Sequence, residues 1–135
     1  MSFKTEVMIN GTKISKSSEP YIIAEVSGNH GGELARAINL IRAAAKSGAN
    51  AVKLQTYTAD TMTIDCDRPE FQISDPSSLW YGRSLYELYA EASTPWDWHE
   101  ELFSIAKDEG ITIFSSPFDI TAVEFLENLD APCYK

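Results

Sequence analysis

Hydrophobic and polar positions alternate over residues 51–56, where Val52 and Leu54 occupy one set of positions and Lys53 and Gln55 the other. This period of two predicts a β-strand whose two sets of side chains point to opposite faces of a sheet. A cation and an amide on an otherwise apolar strand are costly to bury unless a polar or anionic group meets them. The exposed face of an antiparallel sheet is one interpretation. Helical patterns on both sides of the run favour a parallel strand with covered faces, and hence a site.

Three further apolar runs predict strands at residues 21–26, 111–116 and 131–135, the last one only beginning before the sequence ends. Between them lie segments with helical spacing. The first helix is predicted from apolar residues on one face: Leu34, Ala37, Ile38, Ile41, Ala44 and Ala45. The order of strands and helices predicts an α/β fold with a parallel sheet.

The second long helix is predicted to start at Thr94, as N-cap, with Pro95 in the first position, and to run to Glu109. The third is predicted to be capped by Asp119, with four residues facing the core: Ala122, Val123, Leu126 and Leu129. A short helix is predicted at residues 83–90.

Two segments lie outside this alternation. Residues 6–14 predict a small β-hairpin, since Asn10-Gly11 suits a tight turn. Residues 59–81 are polar, carry two prolines and form an excursion too long for an ordinary loop between a strand and a helix, and such excursions often cover a site.

Composition narrows the class of protein. The chain has 135 residues, 44% hydrophobic and 23% charged, which indicates a single globular domain at most. A net charge of −9 without a basic cluster argues against nucleic acid or an anionic membrane as a partner. Cys66 and Cys133 show no metal-ligand spacing. The first seven residues lack the apolar core of a signal peptide and no apolar run approaches membrane-spanning length, so we expect a soluble, cytoplasmic protein.

Chemistry in parallel α/β folds collects at the carboxyl ends of the strands. The polar groups predicted there are Glu25, Lys53 with Gln55, Ser115 with Ser116, and Lys135. Each has a purely structural alternative. Glu25 and Lys53 could form an ion pair, the serines could cap the next helix, and Lys135 could be a frayed end.

The two histidines are weighed separately. His30 follows a loop asparagine and precedes two glycines, so it could bind substrate or handle a proton, although a locally bonded loop histidine is the commoner case. His99 lies beside two tryptophans and is interpreted as a surface residue.

Three stretches carry a resemblance to a known family: residues 23–32, residues 48–56, and residues 114–119, followed by Tyr134-Lys135. Together they resemble the sialic acid synthase family. Residues 79–89 and 94–99 resemble its pseudaminic acid branch. The resemblance covers nearly the whole chain from Tyr21 onward.

The resemblance implies a (β/α)8 TIM barrel that condenses phosphoenolpyruvate with an N-acetylated amino-deoxy sugar to give a nonulosonic acid, here pseudaminic acid, and phosphate. It implies Glu25 as the catalytic acid/base. The implied substrate-binding residues are Lys53, Gln55, Ser116, Lys135, Asn29, His30 and Arg83. It also implies a divalent metal, manganese or magnesium, whose ligands lie outside this chain. The implied partners are phosphoenolpyruvate and an amino sugar, and we expect a homo-oligomer, a dimer.

A closed barrel needs eight strands and typically about 250 residues, so we expect only its N-terminal half, from the first strand to the start of the fourth. The division predicted is a hairpin and linker at residues 1–20 and a half-barrel at residues 21–135, without the C-terminal half or the family's antifreeze-like domain. We expect the chain alone to be inactive.

Three alternatives remain open from the sequence. The sugar acid made could be N-acetylneuraminate or legionaminate. The chain could be a non-catalytic fragment that binds a phosphorylated small molecule or a partner subunit. An open doubly-wound sheet is disfavoured, because no glycine-rich phosphate loop follows the first strand.

Overall fold

The computed structural model describes residues 5–135, and within them a hairpin precedes a three-stranded parallel sheet with helices on one face. The strands are β1 (Glu6–Ile9), β2 (Thr12–Ser15), β3 (Ile23–Glu25), β4 (Ala51–Thr56) and β5 (Thr112–Pro117). The helices are α1 (Leu34–Lys46), α2 (Ala59–Met62), α3 (Leu85–Ala92), α4 (His99–Asp108) and α5 (Ile120–Glu127), with 3-10 turns at Pro69–Phe71 and Trp96–Trp98.

The predicted hairpin is confirmed in β1 and β2, which pair antiparallel. Asn10 and Gly11 take φ angles of +45° and +80°, the left-handed conformation that a type I′ turn requires. The Asn10 side-chain amide donates a hydrogen bond of 3.2 Å to the Thr112 hydroxyl, which ties the turn to the amino end of β5. Residues 1–4 of the predicted N-terminal unit lie outside the described residues, and the division at residue 20 stays a prediction.

The sheet has the order β3-β4-β5, and both pairings are parallel, as predicted. The register places Glu25 opposite Lys53, and Gln55 opposite Ser116. A single parallel bridge joins Ser115 to Tyr134, where the fourth strand was predicted to begin. The structure therefore has the expected order of elements, with β3, β4 and β5 as the first three strands of a parallel sheet.

One face of this sheet carries the hydrophobic core. Because side chains alternate along a strand, Val52 and Leu54 share a face of β4 and meet helices α1 and α4. The buried members of the core are Val26, Ala37, Ile41, Ala44, Val52, Leu54, Leu102, Ala106, Ile111 and Ile113. Burying a leucine such as Leu54 stabilises the fold by about 1.5–3 kcal/mol, so this layer fixes the sheet that presents the opposite face.

The helix boundaries differ from the prediction in two places. Helix α3 begins at Leu85 instead of residue 83, because Ser84 and Glu87 form a reciprocal capping box. Thr94 is not a helix cap: its hydroxyl lies 3.2 Å from the buried His30 ring, and α4 begins only at His99 after a 3-10 turn.

The third predicted helix begins as expected. Asp119 caps α5 by accepting hydrogen bonds from the backbone N–H groups of Thr121 and Ala122. Ala122 and Leu126 are buried, but Val123 is 36% exposed, so its predicted core position is wrong.

The excursion after β4 is more ordered than predicted. It contains α2, capped by Thr58, and the first 3-10 turn, and α2 packs against α3. The last residue of α3, Ala92, approaches the loop that follows β3, where a Cβ atom added to Gly28 would lie 2.9 Å from the Ala92 carbonyl oxygen. The end of α3, which α2 of the excursion contacts, therefore packs against the loop that follows Glu25.

Within residues 5–135, none of the helices combines the length and the apolar character needed to cross a bilayer.

Candidate functional site

Glu25, Lys53 and Ser116 meet on the sheet face that lies opposite the core. The Lys53 Nζ atom is 2.7 Å from Glu25 Oε2 and donates a hydrogen bond of 3.3 Å to Ser116 Oγ. Three parallel strands each contribute one of these groups at neighbouring register positions. The predicted juxtaposition of the carboxylate at 25 and the ammonium at 53 is thereby confirmed.

Lys53 is the buried member of this group. Its side chain is 4% exposed, whereas that of Glu25 is 53% exposed. An ammonium group has three N–H donors, and Glu25 and Ser116 account for two of them. Among residues 5–135 these are its partners, so the ammonium can offer a third donor to an anion, which would then compete with Glu25 for its positive charge.

Two more predicted residues lie close to this group along the chain fold. Gln55 follows Lys53 by two positions on β4 and is half-buried. The bridge between Ser115 and Tyr134 carries Lys135 beside Ser116, and the Lys135 N–H bonds to the Ser115 carbonyl at 3.2 Å. The Lys53 ammonium, an amide, a hydroxyl and a carboxylate thus line one edge of the sheet, and the backbone of the exposed Lys135 lies next to it.

Ser115 and Ser116 point to opposite faces of β5, since they are adjacent on a strand. Ser116 meets Lys53, and Ser115 lies on the helix-covered face, where its Oγ atom is 2.7 Å from Thr56 Oγ1. Neither serine caps α5, because Asp119 does so. The capping alternative for the serines is therefore wrong.

His30 is fully buried and bonded locally. Its Nδ1 accepts a hydrogen bond of 3.1 Å from the Gly32 N–H, so Nε2 carries the proton and donates to Thr94 Oγ1 at 3.2 Å. Its ring also packs edge-on against Trp98, with centroids 5.5 Å apart. These contacts are those of a structural histidine, while Asn29 before it is exposed. Substrate binding by Asn29 and His30 stays a prediction.

The prediction that His99 lies on the surface is wrong. The side chain is fully buried between β4 and α5, with its Nε2 atom 2.9 Å from Thr56 Oγ1 and its ring edge-on to Phe125. One signal in the sequence was available. Thr56 and Ser115 follow the apolar positions of their strands at even spacing, so both predict a polar partner on the helix-covered face.

Arg83, predicted to lie toward the sugar, is held within the excursion and α3. Its guanidinium pairs with Glu91, lies 3.9 Å from Glu87 and stacks over Trp80 at 5.2 Å. These contacts fix the last part of the excursion against α3. A role of Arg83 in substrate binding stays a prediction.

The two buried histidines predict how stability depends on pH. Burial lowers the pKa of both rings below the ordinary value of 6.5. The unfolded chain then binds more protons, so the free energy of unfolding should fall below about pH 6.5, by up to about 1.4 kcal/mol per pH unit for each histidine. Urea unfolding at about pH 7.5 and about pH 5.5 measures this. His99→Gln should show a smaller loss than the wild type, and an equal loss would contradict the assignment.

No metal centre is assembled by these side chains. Within residues 5–135, no group of three or more histidine, cysteine, aspartate or glutamate residues could hold an ion. In both His30 and His99, each of the two ring nitrogens already takes part in a hydrogen bond. His30 and His99 therefore do not fit a metal site.

A groove of about 600 Å³ lies at the other end of β5, lined in part by Phe103, Lys107, Ile111 and Leu129. It is remote from the Lys53 ammonium. Because the chemistry of parallel α/β folds collects at the carboxyl ends of the strands, the group around Lys53 is the stronger candidate.

The sequence matches known proteins over most of its length. It is 50% identical over 115 residues to the pseudaminic acid synthase of Campylobacter jejuni, which covers 85% of this chain and 33% of that protein. It is 37% identical over 124 residues to the N,N'-diacetyllegionaminic acid synthase of Legionella pneumophila, which covers 90% of this chain and 34% of that protein. The chain thus spans about a third of the length of these relatives.

The fold matches solved structures as well. The N-acetylneuraminic acid synthetase of Leptospira borgpetersenii, solved with citrate, superposes with a TM-score of 0.77 at 25% identity, covering 96% of this chain and 40% of that one. The predicted fold class is confirmed: the chain has the N-terminal part of a TIM-barrel fold. The NeuB family model matches residues 40–135, which include β4, β5 and the residues around Lys53 and Ser116. The chain belongs to the NeuB family.

Proposed function

We propose that this chain forms the phosphoenolpyruvate-binding part of a pseudaminic acid synthase. The whole enzyme would join phosphoenolpyruvate to an N-acetylated amino-deoxy sugar and release phosphate. The observation that carries the proposal is the buried Lys53 ammonium, placed between Glu25 and Ser116 at the carboxyl ends of parallel strands. The 50% identity to a pseudaminic acid synthase supports the choice of product.

Phosphoenolpyruvate carries a phosphate and a carboxylate, and two fixed cations suit such a ligand. Lys53 and Lys135 would bind these two groups, with the Ser116 hydroxyl and the Gln55 amide as further donors. Charge-assisted hydrogen bonds to a phosphate are about twice as strong as neutral ones. Loss of phosphate becomes easier when its developing negative charge is met by donors already in place.

Glu25 would act as the acid/base at the reacting carbons, handling a proton on the attacking water or on the sugar oxygen. In the ligand-free chain its carboxylate is paired with Lys53 at 2.7 Å. An anion that takes up part of the Lys53 charge would loosen this pair. Glu25 would then be released toward the substrate at the moment the substrate binds.

The remaining features of the proposal concern the whole enzyme. A divalent metal, manganese or magnesium, would polarise the sugar aldehyde and be held by ligands outside these 135 residues. We place the enzyme in the cytoplasm as a homodimer. We propose that it binds neither nucleic acid nor membrane, in keeping with the net charge of −9 of these 135 residues.

The test is the mass of the product formed from phosphoenolpyruvate and each candidate sugar, with manganese, by the longer protein that would carry this chain. We expect pseudaminic acid and one phosphate for each molecule formed. Legionaminic acid as the product would favour the alternative activity, that of a legionaminic acid synthase. The 37% identity to such an enzyme supports this alternative. Absence of turnover with all sugars would contradict the proposed activity.

The same assay on the isolated 135 residues shows whether they are active alone or only as part of a longer enzyme. We expect phosphoenolpyruvate to bind without turnover, since a barrel needs eight strands to close. Measured turnover would overturn this expectation. Failure to bind would favour the other class of function, a fragment that docks on a partner subunit.

A further inference from the structure

A second polar group lies behind the Lys53 site, on the helix-covered face of the same two strands. Ser115, Thr56 and His99 are all fully buried there. Ser115 Oγ is 2.7 Å from Thr56 Oγ1, which is 2.9 Å from His99 Nε2, and His99 Nδ1 is 3.1 Å from the Pro95 carbonyl oxygen. The four groups form one continuous chain of hydrogen bonds from β5 through β4 to the start of α4.

The direction of this chain follows from its last member. A carbonyl oxygen only accepts, so His99 Nδ1 must carry the proton that it donates to Pro95. Burial favours the neutral ring, whose Nε2 atom is then an acceptor for the Thr56 hydroxyl. Thr56 has a single proton to give, so Ser115 donates to Thr56. Each member therefore has one allowed role.

We propose that His99 is a positioning residue for the Lys53–Ser116 site, acting through Thr56 and Ser115. Thr56 immediately follows Gln55, and Ser115 immediately precedes Ser116. The hydrogen-bond chain therefore joins β4 and β5 on their helix-covered face, directly behind the face that carries the site. It fixes the separation of 3.3 Å between Lys53 Nζ and Ser116 Oγ. The binding part of this inference rests on the function proposed above.

Contacts of neighbouring aromatic residues hold the His99 side chain in position. Trp96, three residues earlier, donates a hydrogen bond of 3.2 Å to the Tyr57 carbonyl and stacks on Phe125, with centroids 4.8 Å apart. His99 contacts the same Phe125 ring at 5.2 Å. Trp96 in the turn thus bonds to Tyr57, and His99 at the start of α4 bonds to Thr56, the last residue of β4, so two consecutive residues are held by this segment.

The test compares His99→Phe with His99→Gln in the 135-residue chain. Phenylalanine keeps an aromatic ring against Phe125 but can neither accept from Thr56 nor donate to Pro95. Glutamine offers one acceptor and one donor. We expect His99→Phe to weaken phosphoenolpyruvate binding about tenfold by calorimetric titration, and His99→Gln to stay within about threefold of the wild type.

Two outcomes of the titration would overturn the inference. One is wild-type affinity in a folded His99→Phe variant. The other is equal weakening in both variants, which would indicate packing alone. If His99→Phe does not fold, Thr56→Val, which keeps the shape and removes the hydroxyl, takes its place with the same expected loss.

A measurement without ligand keeps this inference separate from the proposed function. The Ser116 amide and Lys53 side-chain resonances of the ligand-free protein should shift in His99→Phe or Thr56→Val and stay close to wild type in His99→Gln. Unchanged resonances would contradict the positioning role. If the variants show these shifts but the wild-type chain does not bind phosphoenolpyruvate, only the proposed function is contradicted.

Discussion

Replacing Lys53 by methionine is expected to weaken phosphoenolpyruvate binding by about 100-fold or more. The substitution keeps an unbranched side chain that is one atom shorter and removes the buried ammonium that would meet the phosphate or carboxylate. Lys53→Ala also removes the ammonium and its charge-assisted hydrogen bond to the ligand, so we expect it to weaken binding to a similar extent. Calorimetric titration of the 135-residue chain measures the affinity.

The matched control is Lys46→Met, which removes an exposed lysine in the last turn of α1 and the same net charge. We expect it to bind as the wild type does. If Lys53→Met and Lys46→Met bind equally well, the proposed site is wrong. If both lose affinity, the effect belongs to the net charge of the chain instead of the site.

The second large effect concerns stability and differs between the two partners of one ion pair. Glu25→Ala should lower the free energy of unfolding by about 2–3 kcal/mol, since it leaves a buried ammonium with only Ser116 as partner. This loss of stability is at or below the loss usually found when a buried ion pair is broken, because about half of the Glu25 side chain is exposed. Lys53→Met should stay within about 1 kcal/mol of the wild type, since water can solvate the remaining carboxylate.

Urea unfolding of both variants and of the double variant measures this difference. In the double variant the buried charge is gone together with its partner, so most of the loss in Glu25→Ala should be recovered. Equal losses for the two single variants, or no recovery in the double one, would show that the burial of Lys53 does not set the stability of the pair.

The order of elements could be predicted because it depends on local periodicity. The alternation at residues 51–56 and the helical spacing at residues 34–45 each require only neighbouring positions, and both predictions are confirmed. The juxtaposition of Glu25 and Lys53 followed from the rule that parallel strands present their carboxyl ends together. The geometry of the pair itself, with one partner buried and the other half-exposed, needed coordinates.

The environment of the two histidines could not be read from the sequence. His99 meets Thr56 across 43 positions, and His30 meets Thr94 across 64. The positions of Thr56 and Ser115 indicate that a polar partner is needed on the helix-covered face, but no local pattern identifies which residue it is. The same contact explains why the strong capping signal at Thr94 was misleading. A threonine before a proline is a good N-cap by propensity, but here its hydroxyl is used by a buried imidazole.

The contact between Gly28 and Ala92 sets a limit on how this region can vary. A methyl group at residue 28 would lie too close to the Ala92 carbonyl oxygen and would push the end of α3 away from the loop that follows Glu25. Any relative with a larger residue at this position must therefore carry a compensating retreat of the helix end. The absence of a side chain at residue 28, three residues downstream of Glu25, is therefore what lets the end of α3 approach the loop that follows β3 so closely.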